Sequence, residues 1–175
     1  MQNEELSIVH YPDPVLKKNC QTVTEFGDDL KALVEQMYKL MHAARGIGLA
    51  APQVGLPLRI FVYNISGEDA DNQVCINPEL IDLEGAATDD EGCLSLPGIT
   101  VNVKRATQLT MRGQDTDGNP VELKGTDLLA RVWQHENDHL HGKLIIDNMS
   151  PSDEIANRKA VKKLEDEFKP RNRRR

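Results

Sequence analysis

The stretch QHENDHLHG, residues 134–142, sets two histidines four apart with a glutamate directly after the first. On a helix, His135 and His139 lie one turn apart on one face, and Glu136 stands beside them. This H-E-x-x-H arrangement holds a divalent metal and puts a general base next to it. Two imidazoles do not complete a tetrahedral site, so the third ligand decides which class of metal hydrolase is at hand. At about 100° per residue from His135, His139 returns to about 40° and Glu136 to about 100°. Leu128, Arg131 and Val132 fall near the same side, whereas Leu129, Trp133 and Leu140 lie round the back. A ligand face is thus kept apart from a face that can pack on a sheet.

A zinc-peptidase pattern continues H-E-x-x-H-x-x-G-x-x-H; Gly142 fits it but the last position is Ile145, so that class fails. His141 points about 240° round from His135 and reads as solvated. Glu154 and Glu165, on the C-terminal helix, remain as carboxylate ligands of a zinc endopeptidase. The better candidate lies upstream in DDEGCLSLPG, where Cys93 follows Gly92, a residue that lets a backbone approach closely. A thiolate with two neutral imidazoles makes a Cys-His-His set of net charge about +1 around a divalent ion. A fourth corner then holds water whose pKa is drawn toward neutrality. Cys20 and Cys75 read as buried apolar cysteines.

The elements that must position these groups follow from pattern. DDLKALVEQMYKLMHAAR spaces Leu30, Leu33, Val34, Met37, Leu40, Met41 and Ala44 as an amphipathic helix, which GIGLAAPQVGLP cannot continue. LRIFVYN and QVCINPEL read as strands; ITVNVKRATQLTMRG alternates, and DTDGNP turns it into VELKG as a hairpin. The metal helix spans about 126–141, with Thr126 as N-cap and Gly142 as stop. A C-terminal helix spans about 151–169, with a serine cap at Ser150 and proline first. The expected class is α+β, with mostly antiparallel sheets packed around a central metal-binding helix and a C-terminal helix.

A chain of 175 residues with 39% hydrophobic residues is expected to form one catalytic domain over residues 1–170, with a basic tail at 171–175. Three cysteines are too few and scattered for a disulfide framework. The start, MQNEELSIVH, lacks the apolar stretch of a signal peptide, and no run is long enough to span a membrane. Both points lead to an expectation of a bacterial-type cytoplasmic protein, or an organellar one if a longer precursor was trimmed. Of the net charge of -7, residues 153–175 contribute nine Lys/Arg against five acids, leaving an acidic remainder of -11. Such a body repels nucleic acid, while the basic end could touch phosphates locally.

Three stretches together, GIGLAAPQ (46–53), EGCLS (91–95) and HENDH (135–139), resemble in order and spacing the signature motifs of the peptide deformylases. YPDPVL, INPEL and GKLIIDNMS are similar to that family as well, so the resemblance covers nearly the whole chain. It implies an enzyme that removes the formyl group from the N-terminal formylmethionine of new polypeptides. The attack is by metal-bound water or hydroxide, with Fe2+ as the native ion and Zn2+, Ni2+ or Co2+ as alternatives in a purified sample. Carried over, it implies Cys93, His135 and His139 as metal ligands and Glu136 as general acid/base. Gln53 and the Leu94 N–H would face the formyl oxygen, and Gly48 lies where substrate pairs with main chain. Gly46, Ile47, Glu91, Leu128 and Val132 are grouped with it around the substrate, and Glu91 with Arg105 is expected to pair beside Cys93. Asp138 borders the ligand face, either behind a ligand or as a solvated acid. The family usually places an apolar residue where Asn137 stands, so a packing cost is expected there. The basic C-terminal helix suggests a ribosome as partner; a catalytically silent ribosome-binding module is the contrasting reading.

Overall fold

The structure, a computed structural model, describes residues 6–170. Its helices are α1 (Asp28–Ala43), α2 (Asp127–Leu140) and α3 (Pro151–Glu167). The strands are β1 (Gly48–Ala50), β2 (Ile60–Tyr63), β3 (Gln73–Glu84), β4 (Ala87–Glu91), β5 (Val101–Arg105), β6 (Gln108–Gln114) and β7 (Pro120–Thr126). Every strand pairing is antiparallel, in a five-stranded sheet ordered β1-β2-β3-β6-β7 and a separate ribbon of β4 with β5. The expected α+β class is what forms, with α2 in the middle and α3 at the end.

β2 explains why the sheet needs helices on both faces. Its four residues IFVY are all buried, because alternate side chains leave a strand on opposite sides and both sides are covered. Ile60 and Val62 join Leu30, Val34, Met37 and Met41 of α1, whereas Phe61 and Tyr63 join Ala130, Val132, Trp133 and Leu140 of α2. A third cluster places Leu96, Ile99 and Val101 against Ala160, Val161 and Leu164 of α3. The described part has no helix long and apolar enough to cross a membrane.

Several boundaries differ from expectation. The alternating run over residues 99–113 is two strands in two sheets: β5 pairs with β4, and β6 with β3 and β7. Alternation reports extended backbone and carries no information about the partner. The switch falls at Ala106, whose N–H and C=O are both taken by the Gln134 side chain of α2, each at 3.0 Å. Asn77, at φ 53, interrupts the β3 ladder and turns its amide onto the main chain of Val23 at 2.9 Å in both directions.

Thr126 occupies the N-cap of α2 without a side-chain bond; the following residue, Asp127, has φ 52 and donates its N–H to Thr107 O at 2.8 Å. Gly142 does end the helix, at φ 68, where a Cβ would come within 2.5 Å of Lys17 O. Ser150 caps α3 as expected, accepting from Asp153 N at 3.1 Å, and the helix stops at Glu167, two residues short of Lys169. Residues 171–175, the expected basic tail, lie outside the described residues.

The back of α2 is the anchor of the fold. Trp133 is fully buried, its ring edge-on to Tyr63 at 5.8 Å between centroids. β7 approaches so closely that a Cβ on Gly125 would lie 2.4 Å from Trp133 Cζ3. Gly125→Ala is therefore expected to destabilise the protein by about 1–3 kcal/mol through overpacking. Thermal unfolding measures this, and an unchanged midpoint would show that the strand and indole are not in close contact.

Candidate metal centre

The face of α2 opposite Trp133 carries His135 and His139, their rings 5.1 Å apart between centroids. The loop after β4 brings Cys93 to them from more than forty residues away in sequence. One donor atom from each of Cys93, His135 and His139 lies within 4.8 Å of the other two, and Cys93 Sγ is 3.4 Å from His139 Nε2. An ion held at ordinary bond lengths of about 2.0–2.3 Å needs tetrahedral donors roughly 3.5 Å apart, so the set fits a divalent transition ion. Among the described residues, Glu154 and Glu165 belong to no such group. Both are exposed, and Glu165 accepts from the Tyr11 hydroxyl at 3.1 Å, which removes the zinc-endopeptidase ligand set. His141 is exposed, as its position on the helix suggested.

Behind the donors sits Glu91, whose two oxygens each take two bonds. Oε1 accepts from Arg105 Nη2 at 2.9 Å and bonds His135 Nδ1 at 2.8 Å. Oε2 accepts from Arg105 Nε at 2.9 Å and from Arg131 Nη1 at 2.7 Å. A carboxylate on the far nitrogen of a ligating imidazole fixes its tautomer and orientation. The expected Glu91–Arg105 pair is present, and Asp138 is tied to it by Arg105 Nη1 at 2.6 Å. Glu91 also borders the cavity described below, but its oxygens are engaged by these three side chains. Burial pushes its carboxyl up, yet the Arg105 and His135 bonds and charges prevail and hold it at about 2. Burial lowers His139, and charge on His135 lowers it further.

Glu136 is buried beside the donors, and burial above all raises it to about 7, against the pull of His135. A carboxyl there is poised to take and return a proton near neutrality. Its Oε2 is buried without a hydrogen-bond partner among the described residues. Gly48 makes room for it, since a Cβ there would lie 2.3 Å from Glu136 Oε1. Gln53 is 1% exposed; its Oε1 accepts from Ala50 N at 2.9 Å, which turns Nε2 toward Cys93 Sγ at 3.5 Å and Ser95 Oγ at 3.3 Å.

A cavity of about 540 Å³ opens over this centre. Its lining comes from three stretches: Gly46, Ile47, Gly48 and Gln53; Glu91, Cys93 and Leu94; and Leu128, Val132, His135 and Glu136 of α2. Ile47 and Leu128 are 40% and 48% exposed at its mouth, whereas Val132 also belongs to the core around Trp133. β1 ends the sheet order, so among the described residues its outer edge pairs with no strand. Sequence reasoning gave no role to Arg131 or Ser95. The one signal for Arg131 was its place a turn before His135 on the ligand side.

Asn137, where a packing cost was expected, has a buried Oδ1 with no hydrogen-bond partner among the described residues. An unsatisfied buried polar atom costs about 1–3 kcal/mol. Asn137→Leu is expected to raise the unfolding midpoint with metal content unchanged; a lower midpoint would mean that the amide has found a partner.

Comparison with known proteins agrees with this geometry. The family model of polypeptide deformylase matches residues 5–154. The peptide deformylase of Thermodesulfovibrio yellowstonii is 47% identical over 148 residues, 83% of this chain and 90% of that protein. That of Acidobacterium capsulatum is 48% identical over 145 residues, 82% and 85% of the two. Among solved structures, the peptide deformylase of Plasmodium falciparum superposes with a TM-score of 0.90 at 35% identity, covering 93% of this chain and 96% of that one. The Legionella pneumophila peptide deformylase gives 0.87 at 39% identity, covering 92% and 95%. Matched in sequence and fold over most of its length, this chain belongs to the polypeptide deformylase family.

Proposed function

We propose that Cys93, His135 and His139 hold one divalent ion, natively Fe2+, and that the residues around it remove the formyl group from N-terminal formylmethionine. The observation that carries this reading is the convergence of those three donors beside a cavity lined by Cys93, His135 and buried Glu136. The metal dependence and the formylated nascent peptide substrate come with the family. A divalent ion held there supplies Lewis acidity, which lowers the pKa of water and polarises the formyl oxygen.

The chain's own groups account for the rest. Glu136 takes the proton of the attacking water and returns it to the methionine nitrogen as the C–N bond breaks. Gln53 Nε2, aimed by its bond to Ala50 N, donates to the formyl oxygen as negative charge gathers there, together with the Leu94 N–H. The unpaired edge at Gly48, with Gly46 beside it, accepts the extended substrate as an added strand, which gives affinity with little sequence preference. Ile47, Leu128 and Val132 offer apolar surface to the methionine side chain.

Zinc should outcompete iron for these ligands on intrinsic affinity, so a purified sample carries Zn2+, Ni2+ or Co2+ according to its handling. The bacterial relatives support a cytoplasmic site of action, and an organellar one follows if a longer precursor is trimmed. Arg158, Lys159, Lys162, Lys163 and Lys169 are exposed on and after α3, and this reading gives them ribosomal phosphates as partner. Deleting residues 158–175 is expected to weaken co-sedimentation with ribosomes; unchanged co-sedimentation would remove that partner.

Formate release from a formylmethionyl peptide, paired with metal analysis, tests the division of labour. Glu136→Gln is expected to keep its metal and lose about 10²–10⁴-fold in rate. Cys93→Ser is expected to lose metal and rate together. Full metal content in Cys93→Ser would refute the ligand set.

A further inference from the structure

We infer that Arg131 is a positioning residue for the metal centre, tying the β4–β5 ribbon to α2 and so setting both the orientation of His135 and the place of Cys93. The inference rests on the metal reading above. The ribbon stands apart from the main sheet, and Ala87, Thr88, Asp89 and Asp90 of β4 are exposed. Two strands alone are marginal in water, so this pair must be fastened to something else. Cys93 follows the last residue of β4, Glu91, by two positions, and any looseness there reaches the sulfur.

Arg131 supplies three of the fastenings. Nη1 donates to Glu91 Oε2 at 2.7 Å and to Val103 O at 2.8 Å, and Nη2 to Ala87 O at 2.9 Å. One side chain on α2, a turn before His135, thereby grips both strands and the carboxylate that orients the imidazole. Its side chain is 12% exposed and Glu91's is 5%, so water is a poor substitute for these bonds. Arg105 makes a different set of bonds: among the described residues its guanidinium is divided between Glu91 and Asp138, and Arg131 is the side chain on Ala87 O and Val103 O. The rigid fork of an arginine serves several acceptors in one plane, which the single ammonium of a lysine does not.

The test loads wild type, Arg131→Met and Arg131→Lys with zinc alone and follows its release into excess chelator. Leu30→Ala, in the core cluster that α1 forms with β2, controls for lost stability, with unfolding midpoints measured throughout. Loss of a group behind a metal ligand typically costs 10–100-fold in affinity or activity. Arg131→Met is expected to release zinc about 10–100-fold faster. Arg131→Lys should fall between it and wild type, and Leu30→Ala should release at the wild-type rate. Wild-type release from Arg131→Met, or equally fast release from Leu30→Ala, overturns the inference. If Arg131→Met does not fold, Arg131→Lys decides: a wild-type rate overturns the role and a faster one supports it. A wild-type protein that binds no zinc would instead refute the metal reading itself.

Discussion

The orientation of α2 about its own axis is the constraint on which the rest depends. A rotation of one residue, about 100°, would carry both imidazoles away from Cys93. That rotation is prevented on the far side of the helix, where Trp133 and Leu140 are fully buried against the sheet. Gly125 admits β7 to the indole, and Tyr63 meets the ring edge-on. The chemistry on one face is therefore held in place by apolar packing on the other, where close-packed side chains leave few alternative arrangements.

The second attachment is polar. The ribbon of β4 and β5 meets α2 through Arg131, Arg105, Glu91 and the Gln134 amide. Buried charges of this kind contribute little net stability, because desolvation offsets their attraction. Their directional bonds restrict geometry, and geometry is what a metal site needs from the residues behind its ligands. Glu91, with both oxygens doubly engaged, connects the cysteine loop to the first histidine.

An unpaired sheet edge is usually a liability that proteins shield. Here only Gly48, at the start of β1, borders the cavity, and its missing side chain lets the backbone lie against the proposed base. Gly48 of β1, Cys93 after β4 and the His135–Glu136 pair of α2 thus border one small volume.

Much of this was legible in the chain. The helical repeat placed His135 and His139 on one face and Trp133 on the other, and the segregation it implied is what the fold uses. The three motifs were sufficient to identify the family, and the α+β class followed from the order of helical and alternating segments. The chain read alone could not show that the run over 99–113 divides between two sheets, that Thr126 leaves its cap bond unmade, or that Arg131 grips the ribbon. Periodicity is local, governed by backbone geometry over a few residues, so sequence determines it directly. Which strands pair, and which buried guanidinium meets which carboxylate, depends on contacts between segments tens of residues apart. Only the packed tertiary structure decides those.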